Sequence, residues 1–379
     1  MKKRPKHQRQ DFYKPRLILL LLIEGVLLIL LFNKQTPVHT KSQNIGKPPE
    51  ITAMLSAQNN VDEQTKLYRK LIERLGPEQA QEELLHSGLP FNGQTHLVNH
   101  AAGDYLFEKY GSSGLIYCKD YFLSSCYHGF VLRVIGASGL DGLDQVIDIC
   151  SSKGPALMTQ CAHAIGHGLL VWFDYPNLVE SLHACDQIGS KKKAFPLFNC
   201  YDGIFMENIW GVHEGKPSPK RWINADDIIY PCNDPRIEER YINACWAEQP
   251  TIMYQRYDGD VKKVGLECLK LISPQYQTTC FDSLARQIQP TLRNIDHAFE
   301  LCSLMPKGWD DKCLLTISTA YFSLGERNIP FEICQRMTGS NKDCFNNLSG
   351  MIAVYATSPS EKKDWCNKIT DQTIRQRCY

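Results

Sequence analysis

The sequence predicts an all-α protein, a helical-hairpin repeat array (an α-solenoid) stapled by disulfides and preceded by one N-terminal transmembrane helix. Three observations carry this expectation. Sixteen cysteines recur at a nearly constant interval, the segments between them have apolar residues at helical spacing, and an apolar run near the N-terminus follows a basic tail. With 43% hydrophobic and 22% charged residues, the rest of the chain has an ordinary folded composition.

Residues 1–16 form the basic tail, with Lys2, Lys3, Arg4, Lys6, Arg9, Lys14 and Arg16 against a single acid, Asp11. Residues 17–33 follow as an aliphatic stretch interrupted by Glu24 and Gly25. A helix over the sixteen residues Leu17 to Phe32 covers roughly 24 Å, somewhat short of a ~30 Å hydrocarbon core. Being apolar on every face, it reads as a signal-anchor. The following Asn33-Lys34-Gln35-Thr36-Pro37 offers no small-x-small cleavage site. Basic residues stay on the cytoplasmic side, so the expected protein is single-pass in the cell membrane, N-terminus cytoplasmic and C-terminal domain extracytoplasmic. Residues 34–50, with Pro37, Pro48 and Pro49 among polar residues, read as a linker.

All sixteen cysteines lie on the side expected to cross the membrane, where an oxidising compartment favours disulfides. Taken in order they fall into eight pairs. These are Cys118 with Cys126, Cys150 with Cys161, Cys185 with Cys200, and Cys232 with Cys245. Then come Cys268 with Cys280, Cys302 with Cys313, Cys334 with Cys344, and Cys366 with Cys378. Steps between pairs stay at 21–24 residues, except for 32 where Trp210 to Asn224 inserts a loop rich in Pro, Gly and charge. The resulting period, roughly 34, is the length of a helix–turn–helix repeat. Segments such as IDHAFELC and GLDQVIDIC end at the first cysteine, and CFDSLARQIQ or CLLTISTAYFSLG begin at the second. Each unit therefore reads as a helix, a turn flanked by cysteines, and an antiparallel helix. One hairpin cannot bury its apolar side alone, and stacking on neighbours solves that. Bonding across each short turn uses every cysteine, whereas bonding across the longer intervals strands Cys118 and Cys378. The pairs lack the tight C-x₂-C knuckle of a zinc site.

Residues 51–231 are expected to hold the N-terminal repeats and residues 232–379 the C-terminal ones. Within 51–117, DEQTKLYRKLIERLG reads as a helix that stops and restarts at Gly76-Pro77, and QTHLVNHAAGDYLFEKYG as a degenerate repeat with Gln94 in the cysteine position.

Histidines follow the repeat. Two residues after the second cysteine stand His128, His163 and then Asp202, with His96 in the same column of the degenerate unit. His100 and His167 lie four residues further, one helical turn on, so each H-x₃-H pair shares a face. Equivalent positions on neighbouring helices lie ~8–10 Å apart, within reach of convergent imidazoles. Nearby Gly103, Gly129, Gly166, Gly168 and Gly203 allow close helix approach. The expected site is His96, His100, His128, His163 and His167, with Asp202 or Glu207 as an acidic ligand or base. Such a donor set suits a transition metal: zinc, copper or iron. The competing reading makes these residues buried helix contacts, hydrogen-bonded between layers.

The blocks HLVNHAAG, CYHGF, HAIGHG and CYDGIFMEN resemble those of a poorly characterised group of secreted or membrane-anchored bacterial proteins. The resemblance covers roughly residues 90–250, and Ala164 departs from the glycine expected in the H-G-x-G-H block. It implies a helical extracytoplasmic domain and no particular activity. In architecture the chain is similar to tetratricopeptide-type and cysteine-rich helical-hairpin repeat proteins, which commonly present a concave face to a protein partner. An interaction scaffold is thus the alternative function.

Other classes find little support. Beyond residue 34 the chain carries 34 basic and 39 acidic residues, with no basic stripe for nucleic acid. There is no G-x-S-x-G, phosphate loop or dinucleotide fingerprint, and His213-Glu214 does not complete H-E-x-x-H.

Overall fold

The computed structural model describes residues 47–379, apart from 58–59, 91–92, 123, 212–217, 289–294, 324–326 and 357. The basic tail, the apolar stretch over residues 17–33 and most of the linker lie outside the described residues. Among those described, no helix is long and apolar enough to cross a membrane, and all regular structure is helical.

The chain begins with α1 (Pro49–Ser56), α2 (Val61–Leu75), α3 (Pro77–Leu85) and α4 (Gly93–Tyr110). Helix α2 ends where the sequence places its stop: Gly76 takes a φ of +83°, and Pro77 opens α3. A 3₁₀ turn over Gly111–Tyr117 leads to α5 (Ser125–Ser138), and α6 (Leu143–Lys153) to α7 (Pro155–Phe173). Then come α8 (Leu178–Lys191), α9 (Leu197–Trp210) and α10 (Glu239–Arg256). Four short-turn hairpins complete the chain: α11 (Val261–Leu269) with α12 (Pro274–Ile288), α13 (Ile295–Ser303) with α14 (Asp310–Ser323), α15 (Ile329–Arg336) with α16 (Asn341–Tyr355), and α17 (Pro359–Asn367) with α18 (Gln372–Cys378). Side-chain N-caps fix several starts, Asn60, Asp260, Ser358 and Asp371 each accepting from a backbone N–H three residues on.

All eight bridges join the cysteines expected from the spacing, each across its own turn. Cys118 bonds Cys126, Cys150 bonds Cys161, Cys185 bonds Cys200, and Cys232 bonds Cys245. Likewise Cys268 bonds Cys280, Cys302 bonds Cys313, Cys334 bonds Cys344, and Cys366 bonds Cys378. Their Cα–Cα separations run from 5.4 to 6.4 Å, within the ordinary range for a disulfide. No cysteine is free. The aromatic residue after the second cysteine is buried in five units: Tyr127, Tyr201, Trp246, Phe281 and Phe345. Two units depart from the expected hairpin. Before Cys118 the first helix shrinks to the 3₁₀ turn, since Gly-Ser-Ser-Gly is a poor helix former. Before Cys232 the described residues form turns, where Pro219 and Pro231 withhold backbone donors.

The second helix of each unit packs against those of its neighbours, in the succession α2, α4, α5, α7, α9, α10, α12, α14, α16, α18. Residues 47–379 form one unit, and α9 packs on α10 across residues 231–232. Distant parts of this succession also touch. Asp120, before α5, accepts a hydrogen bond from the Tyr355 hydroxyl at the end of α16, and Arg327 acts on Asp120 and Tyr121 electrostatically. The Arg327 guanidinium lies 4.5, 5.1 and 5.4 Å from the ring centres of Phe322, Tyr355 and Trp365.

Candidate metal centre

Four helices bring the histidines together: α4 carries His96 and His100, α5 His128, α7 His163 and His167, and α9 Asp202 and Glu207. Glycine makes the approach possible at two crossings. A Cβ on Gly103 would stand 2.0 Å from the Cys126 carbonyl oxygen, and one on Gly129 2.1 Å from that of His100. The α7–α9 crossing repeats this, with Gly166 against Cys200 and Gly203 against His163. Gly168 differs, meeting only the Ile135 side chain within 3 Å.

The five rings form a continuous cluster. Ring centres lie 4.9 Å apart for His96–His100 and for His96–His128, and 5.8 Å for His100–His128. On the other side His128 lies 5.1 Å from His163 and 4.4 Å from His167, which are themselves 4.9 Å apart. Two trios, one of His96, His100 and His128 and one of His128, His163 and His167, each offer one nitrogen per residue within 4.8 Å of one another. His128 belongs to both and is fully buried. His96, His100 and His163 are half-buried and mark the more open edge.

Carboxylates fix the α7 rings. His163 Nδ1 lies 3.1 Å from Asp202 Oδ2, and His167 Nδ1 lies 2.8 Å from Glu207 Oε2. Glu207 also accepts from the Tyr175 hydroxyl at 2.5 Å. With each Nδ1–H donated to a carboxylate, each Nε2 carries a lone pair, and the two Nε2 atoms face each other at 3.2 Å. Two lone pairs at that distance require a shared proton or a cation between them. On the α4 side, His96 Nδ1 donates to the Phe122 carbonyl at 2.7 Å, leaving Nε2 to accept from His128 Nδ1 at 3.1 Å. His128 Nε2 is buried without a hydrogen-bond partner.

Burial pushes the His128 ring well below its ordinary pKa and His96 down to about 4, so both stand neutral, the form that ligates metals. At Asp202 burial opposes the charge, but the His163 hydrogen bond and the Arg286 cation leave its carboxyl below the usual range. Glu248 on α10 moves the opposite way, raised well above that range by burial and by the negative Asp202 beside it.

All seven residues expected from the sequence therefore meet in one region, the carboxylates on the outer ring nitrogens. The sequence reading missed Glu248, Tyr175 and the Phe122 carbonyl. Glu248 had a legible signal: three residues after the second cysteine, the three preceding units hold Gly129, Ala164 and Gly203. Fold and site together define a disulfide-rich helical protein with histidine groups able to hold a metal ion. Compared with family models, with curated proteins and with solved structures, the chain finds no match in any of the three.

Proposed function

We propose that this is a membrane-anchored, extracytoplasmic α-solenoid that binds a transition metal ion, zinc, copper or iron, in its histidine cluster. The single observation that carries the reading is the opposed Nε2 pair of His163 and His167. Two nitrogens ligating one tetrahedral ion at 2.0–2.1 Å stand about 3.3 Å apart, and this pair is set at 3.2 Å. Asp202 and Glu207 act behind the ligands, holding each ring in the tautomer that offers Nε2 to the ion. The His163 side chain keeps 12% of its surface exposed, and an open coordination position there would be the condition for Lewis-acid chemistry. Anchoring and compartment rest on the basic tail, the apolar residues 17–33 and eight bridges that suit an oxidising environment; the block resemblance to secreted or membrane-anchored bacterial proteins points the same way.

Elemental analysis of the purified full chain, made under oxidising conditions, tests the binding. The expected result is at least one equivalent of metal that survives gel filtration, and at least one equivalent less in the His163→Ala, His167→Ala double variant. Metal content unchanged by that variant would overturn the reading. The scaffold alternative is supported by Leu266, Leu269 and Ile272, which are exposed near the α11–α12 turn.

A further inference from the structure

We infer that the cluster holds two metal ions, with His128 as a shared ligand that gives one ring nitrogen to each. The inference rests on the metal-binding reading above and deepens it. Its first support is that His128 completes two different trios, one with His96 and His100 and one with His163 and His167. Five histidines arranged around one ion would surround a common point. Here they lie instead on either side of the central ring.

The pattern of protons gives the second support. The Phe122 carbonyl can only accept, so His96 keeps its proton on Nδ1 and turns the Nε2 lone pair toward His128 Nδ1, 3.1 Å away. His128 therefore donates through Nδ1, and its Nε2 lone pair is buried with no hydrogen-bond partner. A ring with no exposed surface and one unsatisfied nitrogen is a built donor. That nitrogen joins the His163 and His167 Nε2 pair around the first ion.

The second ion enters the other trio. His96 Nε2 and His128 Nδ1 are separated by 3.1 Å, again close to the ~3.3 Å edge of a tetrahedral site. Binding there expels the His128 Nδ1 proton to solvent, and the ring becomes an imidazolate between two cations. Each trio then has three imidazole nitrogens around its ion, which leaves a tetrahedral ion one open position.

Copper(II) added to the metal-free full chain is the probe, read by elemental analysis after gel filtration and by electron paramagnetic resonance. Two tightly held equivalents with a spin-coupled spectrum are expected. Substituting His96→Ala together with His100→Ala should leave one equivalent with the spectrum of an isolated ion. Substituting His163→Ala together with His167→Ala should leave one equivalent at the opposite trio. His128→Ala should abolish the coupling. A single equivalent in the wild-type chain, lost in the double variant at His163 and His167, overturns this inference and leaves the metal-binding reading standing. No tightly held equivalent overturns both. Two equivalents that show no coupling, or whose coupling survives His128→Ala, refute the bridge.

Discussion

Asp202 and Glu207 show how much of this histidine cluster depends on the carboxylates behind it. Each accepts a hydrogen bond from the Nδ1–H of one α7 histidine, and each is nearly inaccessible to solvent, 6% and 3% exposed. Outer partners of this kind typically govern metal affinity by 10–100-fold. Glu207→Gln, which preserves shape but weakens acceptance from His167 and Tyr175, should weaken zinc binding by roughly tenfold or more. Competition with a chromophoric chelator would measure it, and an unchanged affinity would show that Glu207 does not orient the ring. The buried histidines also set a pH response of the metal-free protein. An unfolded histidine protonates near pH 6.5, whereas His96 resists protonation down to about pH 4 and His128 shifts in the same direction. The unfolded chain therefore binds the extra proton first. Stability from His96 is fully present above pH 6.5 and is lost as pH falls from 6.5 toward 4, by at most about 1.4 kcal/mol per pH unit. Denaturant unfolding at pH 7.5 and pH 5 should show this loss, and His96→Gln should reduce it.

Helix crossings decide whether the histidines meet. At α4–α5 and α7–α9, backbone carbonyls occupy the places where side chains at Gly103, Gly129, Gly166 and Gly203 would begin. A backbone carbonyl cannot swing aside as a flexible side chain can. Gly129→Ala and Gly203→Ala should each force their helices apart, costing about 1–3 kcal/mol as overpacking does and weakening metal binding in parallel. Gly136, also in α5, provides the control, because nothing lies within 4 Å of the position its Cβ would take. Gly136→Ala should stabilise by up to about 1 kcal/mol through helix propensity alone. Thermal unfolding of the three variants distinguishes a local packing requirement from a general preference for glycine. Equal behaviour at positions 129 and 136 would contradict the crossing argument.

Across the whole molecule, covalent and noncovalent ties serve different ranges. Each bridge closes a loop of 8 to 15 residues within its own unit and contributes about 2–4 kcal/mol by restricting the unfolded chain. Reduction should therefore lower the melting temperature sharply. The Tyr355 hydrogen bond to Asp120, with the field of the Arg327 cation at that carboxylate, instead ties residues more than 200 positions apart. Asp120 also accepts from Ser124 at 2.6 Å, in the loop whose Phe122 carbonyl holds His96. Arg327→Ala removes a cation flanked by three rings, an interaction of about 0.5–2 kcal/mol per favourable pair. Hydrogen exchange should then quicken at the backbone of Cys118 to Tyr127, although the substitution lies far away in sequence. Unchanged exchange there would show that the contact does not stabilise the loop.

The sequence by itself determined the helical class, the hairpin period, the eight disulfides and the column of histidines, because all of these are local. Cysteines 8 to 15 residues apart across a turn, such as Cys302 and Cys313, have few other partners within reach, and H-x₃-H shares a face wherever a helix forms. Gly76-Pro77 likewise fixed a boundary through backbone chemistry alone. The two units lacking a full first helix were only partly legible, since regular cysteine spacing concealed the poor helix formers before Cys118 and Cys232. Tertiary structure alone decided which ring nitrogen carries each proton, that Glu248 joins Asp202, and that Arg327 reaches Asp120. Those outcomes depend on distances between helices set by glycine crossings and by stacking accumulated over many units. No short window of sequence contains such distances, because each arises from the packing of residues 26 to 235 positions apart.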